Sequence, residues 1–298
     1  MSIQIATAPV SWGILEVEGW ARQKGYGEVL DEMVQAGYTG TELGPYGFLP
    51  TESDKLRHEL EKRNLRLLGA FVPLPLAHGD RHVEGLRAAL DVGRLLSAAG
   101  AQYLVLADEM NPSRMAMAGS AADGDGFSPP QWEKATRLLT SIATAARELG
   151  LRSVFHHHCG TFVETPSEVD RLLEMTDATL LGICFDTGHY LYGGGDPGEF
   201  ARIHGKRIWH LHLKDIHHAV LDDVRRDKVP YLDAIRRGIF CELGAGCVDF
   251  PNVIGHLQNA GFDGWAVFEQ DVDPSLPGMN PMASAARSRA YLRRVVGL

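Results

Sequence analysis

TLLGICFDTGHYLYGGGDPGEFARIHGKRIWHLHLKD, residues 179–215, contains two apolar runs, TLLGICF at 179–185 and RIWHLHL at 207–213, separated by enough chain for a helix. Two short runs joined by a crossover of that length read as neighbouring parallel strands, because antiparallel neighbours need only a tight turn. Both runs also end in ionisable residues. Asp186 and His189 follow the first, and His210, His212, Lys214 and Asp215 cluster at the end of the second.

The same unit recurs in both directions along the chain. Further candidate strands lie at 3–8 (IQIATA), 39–43 (TGTEL), 65–72 (LRLLGAFV), 102–107 (QYLVLA), 151–156 (LRSVFH) and 264–269 (GWAVFE). Apolar residues at helical spacing fill 28–35, 81–98, 131–148 and 166–175. Glycine follows at Gly37, Gly100, Gly150 and Gly261, just before a strand, where a left-handed residue can close the helix without steric cost. Thr165-Pro166-Ser167-Glu168 reads as a capped helix start. Eight strands, each followed by a crossover, predict a single-domain (β/α)8 TIM barrel of α/β class spanning residues 1–298. An open doubly wound sheet would usually carry a Gly-rich phosphate loop after its first strand, and PVSWGILEVEG at 9–19 contains no GxGxxG. No internal repeat or linker divides the chain.

Composition narrows the function. With 45% hydrophobic and 22% charged residues, the 298-residue chain can bury a large core. A formal net charge of -9 disfavours broad contact with nucleic-acid phosphates, which needs clustered Lys and Arg. Cys159, Cys184, Cys241 and Cys247 lack CxxC spacing and scaffold density, so reduced thiols in a cytoplasmic protein are expected. The opening MSIQIATAPVSWG does not read as a signal peptide, and no run suggests a membrane span. A small polar molecule is the expected partner, with no nucleic acid and no membrane; a homo-oligomer is compatible with all of this.

In a barrel of this kind the active site is built at the C-terminal ends of the strands. Ionisable residues gather there: Glu42 on the second strand, Asp108 and Glu109 on the fourth, His156, His157 and His158 on the fifth, then Asp186, His212 and Glu269 on the last three. Alternation puts His156 and His158 on one face with His157 on the other, and puts His210, His212 and Lys214 together. Asp186, His212 and Glu269 can therefore converge in the barrel mouth. A mixed imidazole and carboxylate set suits Mn2+, Co2+, Fe2+, Zn2+ or Mg2+ and argues against Ca2+. Each residue also has a plain structural role open to it: Asp186 can cap the turn after its strand, and Glu269 can pair with an arginine. Two long connections, 108–130 and 215–249, belong on the same face as substrate-contacting or lid segments.

FDTGH (185–189), HLHLKD (210–215) and VFE (267–269) resemble the xylose-isomerase-like superfamily of sugar isomerases, epimerases and dehydratases. APVSWG (8–13), TELGPYG (41–47), FHHHCGTFVET (155–165), ELGAGCVDF (242–250) and FEQDVDP (268–274) resemble more narrowly its inosose (2-keto-myo-inositol) dehydratase branch, over essentially the whole chain. The resemblance implies a divalent metal, Mn2+ or Co2+ foremost, held by Asp186, His212 and Glu269. The superfamily's fourth ligand is usually a glutamate ending strand five; His156 stands there instead, with His158 or Glu164 able to replace or support it. Loss of that glutamate disfavours a simple epimerase. His158 and Lys214 are the leading acid–base candidates, with Glu164 and His189 as alternates. Glu42, Trp12, His189 and His210 are candidate substrate contacts, Trp12 as a wall against a ring face. The expected chemistry is dehydration of 2-keto-myo-inositol or a close cyclic polyol ketone in inositol catabolism. A ketose isomerase or epimerase is the main alternative. A DNA-repair endonuclease of the superfamily and a non-catalytic sugar-binding protein are more distant ones.

Overall fold

The computed structural model describes residues 3–17, 19–20 and 24–298, apart from the side chain of Asp123. Its parallel strands are β1 (Ile3–Thr7), β2 (Gly40–Thr41), β3 (Arg66–Leu67 and Gly69–Leu74), β4 (Tyr103–Asp108), β5 (Arg152–His156), β6 (Leu181–Asp186), β7 (Ile208–Leu213) and β8 (Gly264–Phe268). The two runs of β3 form the two ends of one sheet, the first pairing with β2 and the second with β4. Leu68 joins them: its N–H donates to the Thr41 carbonyl (3.0 Å), and its own carbonyl accepts from Tyr103 N (2.9 Å). One bent strand thus closes the cylinder, as a (β/α)8 barrel requires.

The sequence signals map closely onto this architecture. The predicted helices appear as Tyr26–Gln35, His82–Ala98, Pro129–Glu148 and Pro166–Met175. Gly37, Gly100, Gly150 and Gly261 all take positive φ, between 78° and 89°. Thr165 accepts from Glu168 N, and Glu168 accepts from Thr165 N, completing the capping box.

Alternation divides the strand residues between two cores. Leu104, Leu106, Phe155, Ile183, Phe185, Leu211 and Leu213 face the surrounding helices. Tyr103, Val105, Val154 and Cys184 fill one half of the barrel interior, with Ala6, Leu68, Trp265 and Val267 in the other. Each fully buried large side chain contributes about 1.5–3 kcal/mol, so this packed shell can support a charged layer above it. The β6–β7 register slips between Ile183 and Cys184, which pair with Ile208 and His210 and leave Trp209 as a bulge. The indole crosses Gly182, where an added Cβ would lie 2.2 Å from the ring. Beyond the bulge, His210 and His212 point into the barrel.

The two long connections are partly structured. Residues 108–130 include a helical turn at Pro112–Met115. Residues 215–249 contain helices His218–Asp227 and Tyr231–Arg236 and a small hairpin pairing Asp215–Ile216 with Phe240–Cys241. Leu221, Val224, Tyr231, Ile235 and Phe240 form a satellite core there with Trp20 and Ala118. Charged residues occupy the intervening positions of these helices. No helix among the described residues is long and apolar enough to cross a membrane.

Candidate active site and metal centre

β6, β7 and β8 are neighbours in the sheet, and their C-terminal ends present Asp186, His212 and Glu269 side by side. His156 ends β5 beside them. One ligand atom from each of these four buried residues lies within 4.8 Å of the others. Asp186 Oδ1 is committed to the following helix, accepting from His189 N at 2.8 Å, whereas Oδ2 is buried without a hydrogen bond. His156 Nδ1 is also buried without a hydrogen-bond partner, and His212 Nδ1 lies 3.2 Å from Glu269 Oε2. Buried carboxylates and imidazoles converging in this way are costly unless cations join them; Lys214 reaches Asp186 and Glu269 from one side, and the space between the four ligand atoms suits a metal ion. The donor set therefore fits a divalent metal of intermediate hardness. Cys184 also approaches His156 and His212 from below, and burial pushes its thiol up to about 12.

Around this quartet the side chains are already engaged. Glu42 accepts from His210 Nε2 at 2.6 Å and His212 Nε2 at 3.0 Å. Burial alone would raise its pKa, but the two histidines hold it well below the ordinary carboxylate range. His210 stacks on Tyr103 beneath the site (centroids 4.5 Å apart) and lines neither of the mouth cavities. It therefore reaches the mouth through Glu42 rather than directly.

Lys214 Nζ lies 2.7 Å from Asp271 Oδ1, 3.1 Å from His189 Nε2, 3.3 Å from Glu269 Oε2 and 3.4 Å from Asp186 Oδ2. Burial opposes the charge, yet Asp186, Asp271 and Glu269 keep the ammonium protonated. Gly188 makes room for it, since an added Cβ would come within 2.8 Å of Lys214 Cγ. His158, His189 and Asp271 form a second group with metal-ligand spacing, and Lys214 supplies the cation there.

His158 Nδ1 lies 2.7 Å from the Cys159 carbonyl, which can only accept. The ring proton is therefore on Nδ1, and Nε2 carries a lone pair. Burial first, then His156 and Lys214, keep this imidazole neutral. Nε2 faces Tyr231 Oη at 3.4 Å, but the tyrosine donates its proton to Asp271 Oδ2 at 2.7 Å. His157 points the other way, packing on Phe185 and Tyr190 as alternation requires.

Two sequence candidates sit elsewhere. Trp12 was expected against a substrate ring. Its buried indole instead donates to Glu32 Oε2 at 2.7 Å on the first helix, away from the mouth cavities. Glu164 was an alternate acid or base. It is enclosed beneath the 108–130 connection, with Gly119 N and Gly160 N each donating to one carboxylate oxygen at 2.7 Å, and it lines neither cavity. Conversely, sequence reading passed over Glu16, Phe71, Asp271 and Tyr231, which line the mouth. Asp271 was findable, two residues beyond Glu269. Tyr231 had no local signal, because a helix of the 215–249 excursion carries it.

The cleft over the quartet measures about 480 Å³ counted out to its open rim and is walled by Ile14, Phe71, His156, His158, Lys214 and Asp271, among others.

Comparison with known proteins agrees with this architecture. The xylose isomerase-like TIM barrel family matches residues 30–295. Inosose dehydratase of Lacticaseibacillus casei is 32% identical over 294 residues, covering 98% of this chain and 97% of that protein. The rhizopine catabolism protein MocC of Rhizobium meliloti is 37% identical over 295 residues, covering 99% and 89%. Among solved structures, the IolI protein with a bound zinc atom superposes with a TM-score of 0.72 at 14% identity, covering 99% of this chain and 98% of that one. The chain belongs to the xylose isomerase-like TIM barrel family, and within it to the inosose dehydratases that it matches along its full length.

Proposed function

We propose that this protein is a carbon–oxygen lyase of the cytoplasm that dehydrates 2-keto-myo-inositol, or a close cyclic polyol ketone, in inositol catabolism. His156, Asp186, His212 and Glu269 would hold a divalent metal, Mn2+ or Co2+ first. Bound there, that ion supplies Lewis acidity toward the ketone oxygen.

The chain's own residues supply the rest. His158 Nε2, with its lone pair fixed toward the cleft, takes the proton α to the ketone. The C–H electron pair becomes the new double bond as the C–O bond at the next carbon breaks. Lys214, held as an ammonium, donates a proton to the departing oxygen so that it leaves as water. Exchange with solvent at the open rim restores both groups. Asp271 holds Lys214 on one oxygen and Tyr231 on the other, fixing the donor. Phe71 offers an apolar wall to the ring.

The observation that carries this reading is the placement of one unprotonated imidazole nitrogen and one ammonium beside the same metal-ligating quartet. Elimination needs one base and one acid. Epimerisation needs two acid–base groups on opposite faces of one carbon, commonly glutamates in this superfamily, and His156 breaks that pairing at strand five.

The test is ultraviolet absorbance of 2-keto-myo-inositol mixed with Mn2+-loaded protein. A conjugated product should accumulate, chelation should stop it, and His158→Ala should slow it roughly 10²-fold with metal content unchanged by elemental analysis. Protein that epimerises ketohexoses and leaves the inosose untouched would refute the dehydratase assignment.

A further inference from the structure

A second cavity, about 1160 Å³ counted to its open rim, adjoins the first. The two share Leu15, Glu16, Phe71 and His158 as walls, so a molecule seated on the quartet reaches directly into the second space. Three separate connections build it: residues 15–17 after β1, residues 108–115 after β4, and the helix Tyr231–Arg236 after β7. Its surface is mainly apolar, from Leu15, Met110, Met115, Leu232 and Ile235. The two methionines can adapt to more than one shape.

Two physical points bear on its occupant. A six-membered polyol ring presents hydroxyls that gain nothing from an apolar chamber. Among the described residues, no arginine lines either cavity, and the one lysine, Lys214, is already bound to carboxylates. Glu16, Asp108 and Glu109 lie on the walls of the second space. A phosphate or carboxylate there would find no cation free to pair with it, since the nearby Arg81 is already committed to Glu109 at 2.8 Å.

From this we infer that the second cavity is a substrate subsite for a neutral, apolar substituent carried on the polyol ring, an ether-linked alkyl or aryl group, so that the preferred substrate is a substituted cyclic polyol ketone rather than the bare or phosphorylated ring. The inference rests on the polyol-ketone reading for what sits on the quartet, but its own test does not need turnover.

The experiment is calorimetric binding of myo-inositol and its mono-O-propyl and mono-O-(3-carboxypropyl) ethers to Mn2+-loaded full-length protein. These polyols lack the ketone and are not consumed. Burial of each carbon is worth roughly fourfold in affinity, so at least one propyl ether should bind on the order of ten- to fiftyfold tighter than myo-inositol. Its carboxylated counterpart should lose that gain. Met110→Trp and Leu232→Trp, both half-buried and able to fill the chamber without opening the core, should each bring the propyl-to-parent ratio close to one. Two separate substitutions guard against one of them misfolding. If every ether binds no tighter than myo-inositol, or nothing binds, the subsite is refuted. If 2-keto-myo-inositol is dehydrated while no ether gains, the dehydratase reading stands and the subsite falls. If an ether gains affinity while no ketone is dehydrated, the subsite stands and the dehydratase reading falls.

Discussion

Asp186 commits one oxygen to the helix that follows it and turns the other toward the proposed metal site, and Asp186→Asn separates the two. Oδ1 accepts from His189 N at 2.8 Å and caps the helix Thr187–Tyr192, while Oδ2 faces the quartet with no hydrogen bond. Asparagine keeps an oxygen for the cap but puts a neutral NH2 group where the ligand oxygen stood. Outer-shell partners of metal ligands alone are worth about 10–100-fold in affinity, so losing an anionic ligand should weaken binding at least a hundredfold. With Mn2+ at a hundred times the wild-type Kd, binding adds about 2.7 kcal/mol to wild-type stability and only about 0.4 kcal/mol to the variant. For a chain this long 1 kcal/mol moves Tm by roughly 2 °C, so Mn2+ should raise the wild-type Tm by about 5 °C and that of Asp186→Asn by less than 1 °C. Asp186→Ala loses the charge in the same way but also the cap, worth about 1 kcal/mol. Without metal it should therefore melt about 2 °C below Asp186→Asn. Thermal unfolding followed by circular dichroism, with and without EDTA, gives all the values. A metal-induced rise in Asp186→Asn equal to that of the wild type would remove Asp186 from the ligand set.

Trp12→Phe should cost about 2 kcal/mol through the lost hydrogen bond to the Glu32 carboxylate, while kcat/KM stays within about twofold; a large kinetic loss at unchanged Tm would restore Trp12 as a substrate contact. Gly188→Ala should displace Lys214 and lower kcat by about 10²-fold with metal content unchanged, and normal turnover would show that the ammonium's placement is unimportant. Asp108 is pushed up to about 7 by burial, against the pull of Phe162 N and Leu76 N, from an ordinary value of 3.8. Between those values the folded protein holds a proton that the unfolded chain has released, so this contribution to stability is full below the lower value and is lost as pH rises through 7. Asp108→Asn should therefore show a smaller fall in Tm from pH 5 to pH 8 than the wild type, and an equal or larger fall would contradict the assignment.

The barrel and the candidate ligand quartet at its mouth were legible along the chain because both depend on local regularities. A strand repeats every two residues, a helix closes at a left-handed glycine, and a strand's C-terminal end is marked by the change from apolar to ionisable residues. FDTGH, HLHLKD and VFE therefore place Asp186, His212 and Glu269 on three strand ends, and adjacency of successive strands in a closed barrel brings them together. His156 and His158 share the mouth while His157 does not, for the same reason. What local pattern does not encode is which side chain meets which across the barrel axis or through an excursion. Glu164 and Trp12 looked equally available in sequence, but tertiary packing gives the first to two backbone N–H groups and the second to Glu32. Tyr231 reaches His158 and Asp271 only because the 215–249 segment folds over the mouth on its own small apolar core. The sequence by itself determined the periodicities, and through them the barrel and the residues its strand ends offer. Only the tertiary structure decided their partners, because the free energy of a buried charge or lone pair depends on the atoms within a few ångströms of it, and here those atoms come from distant parts of the chain.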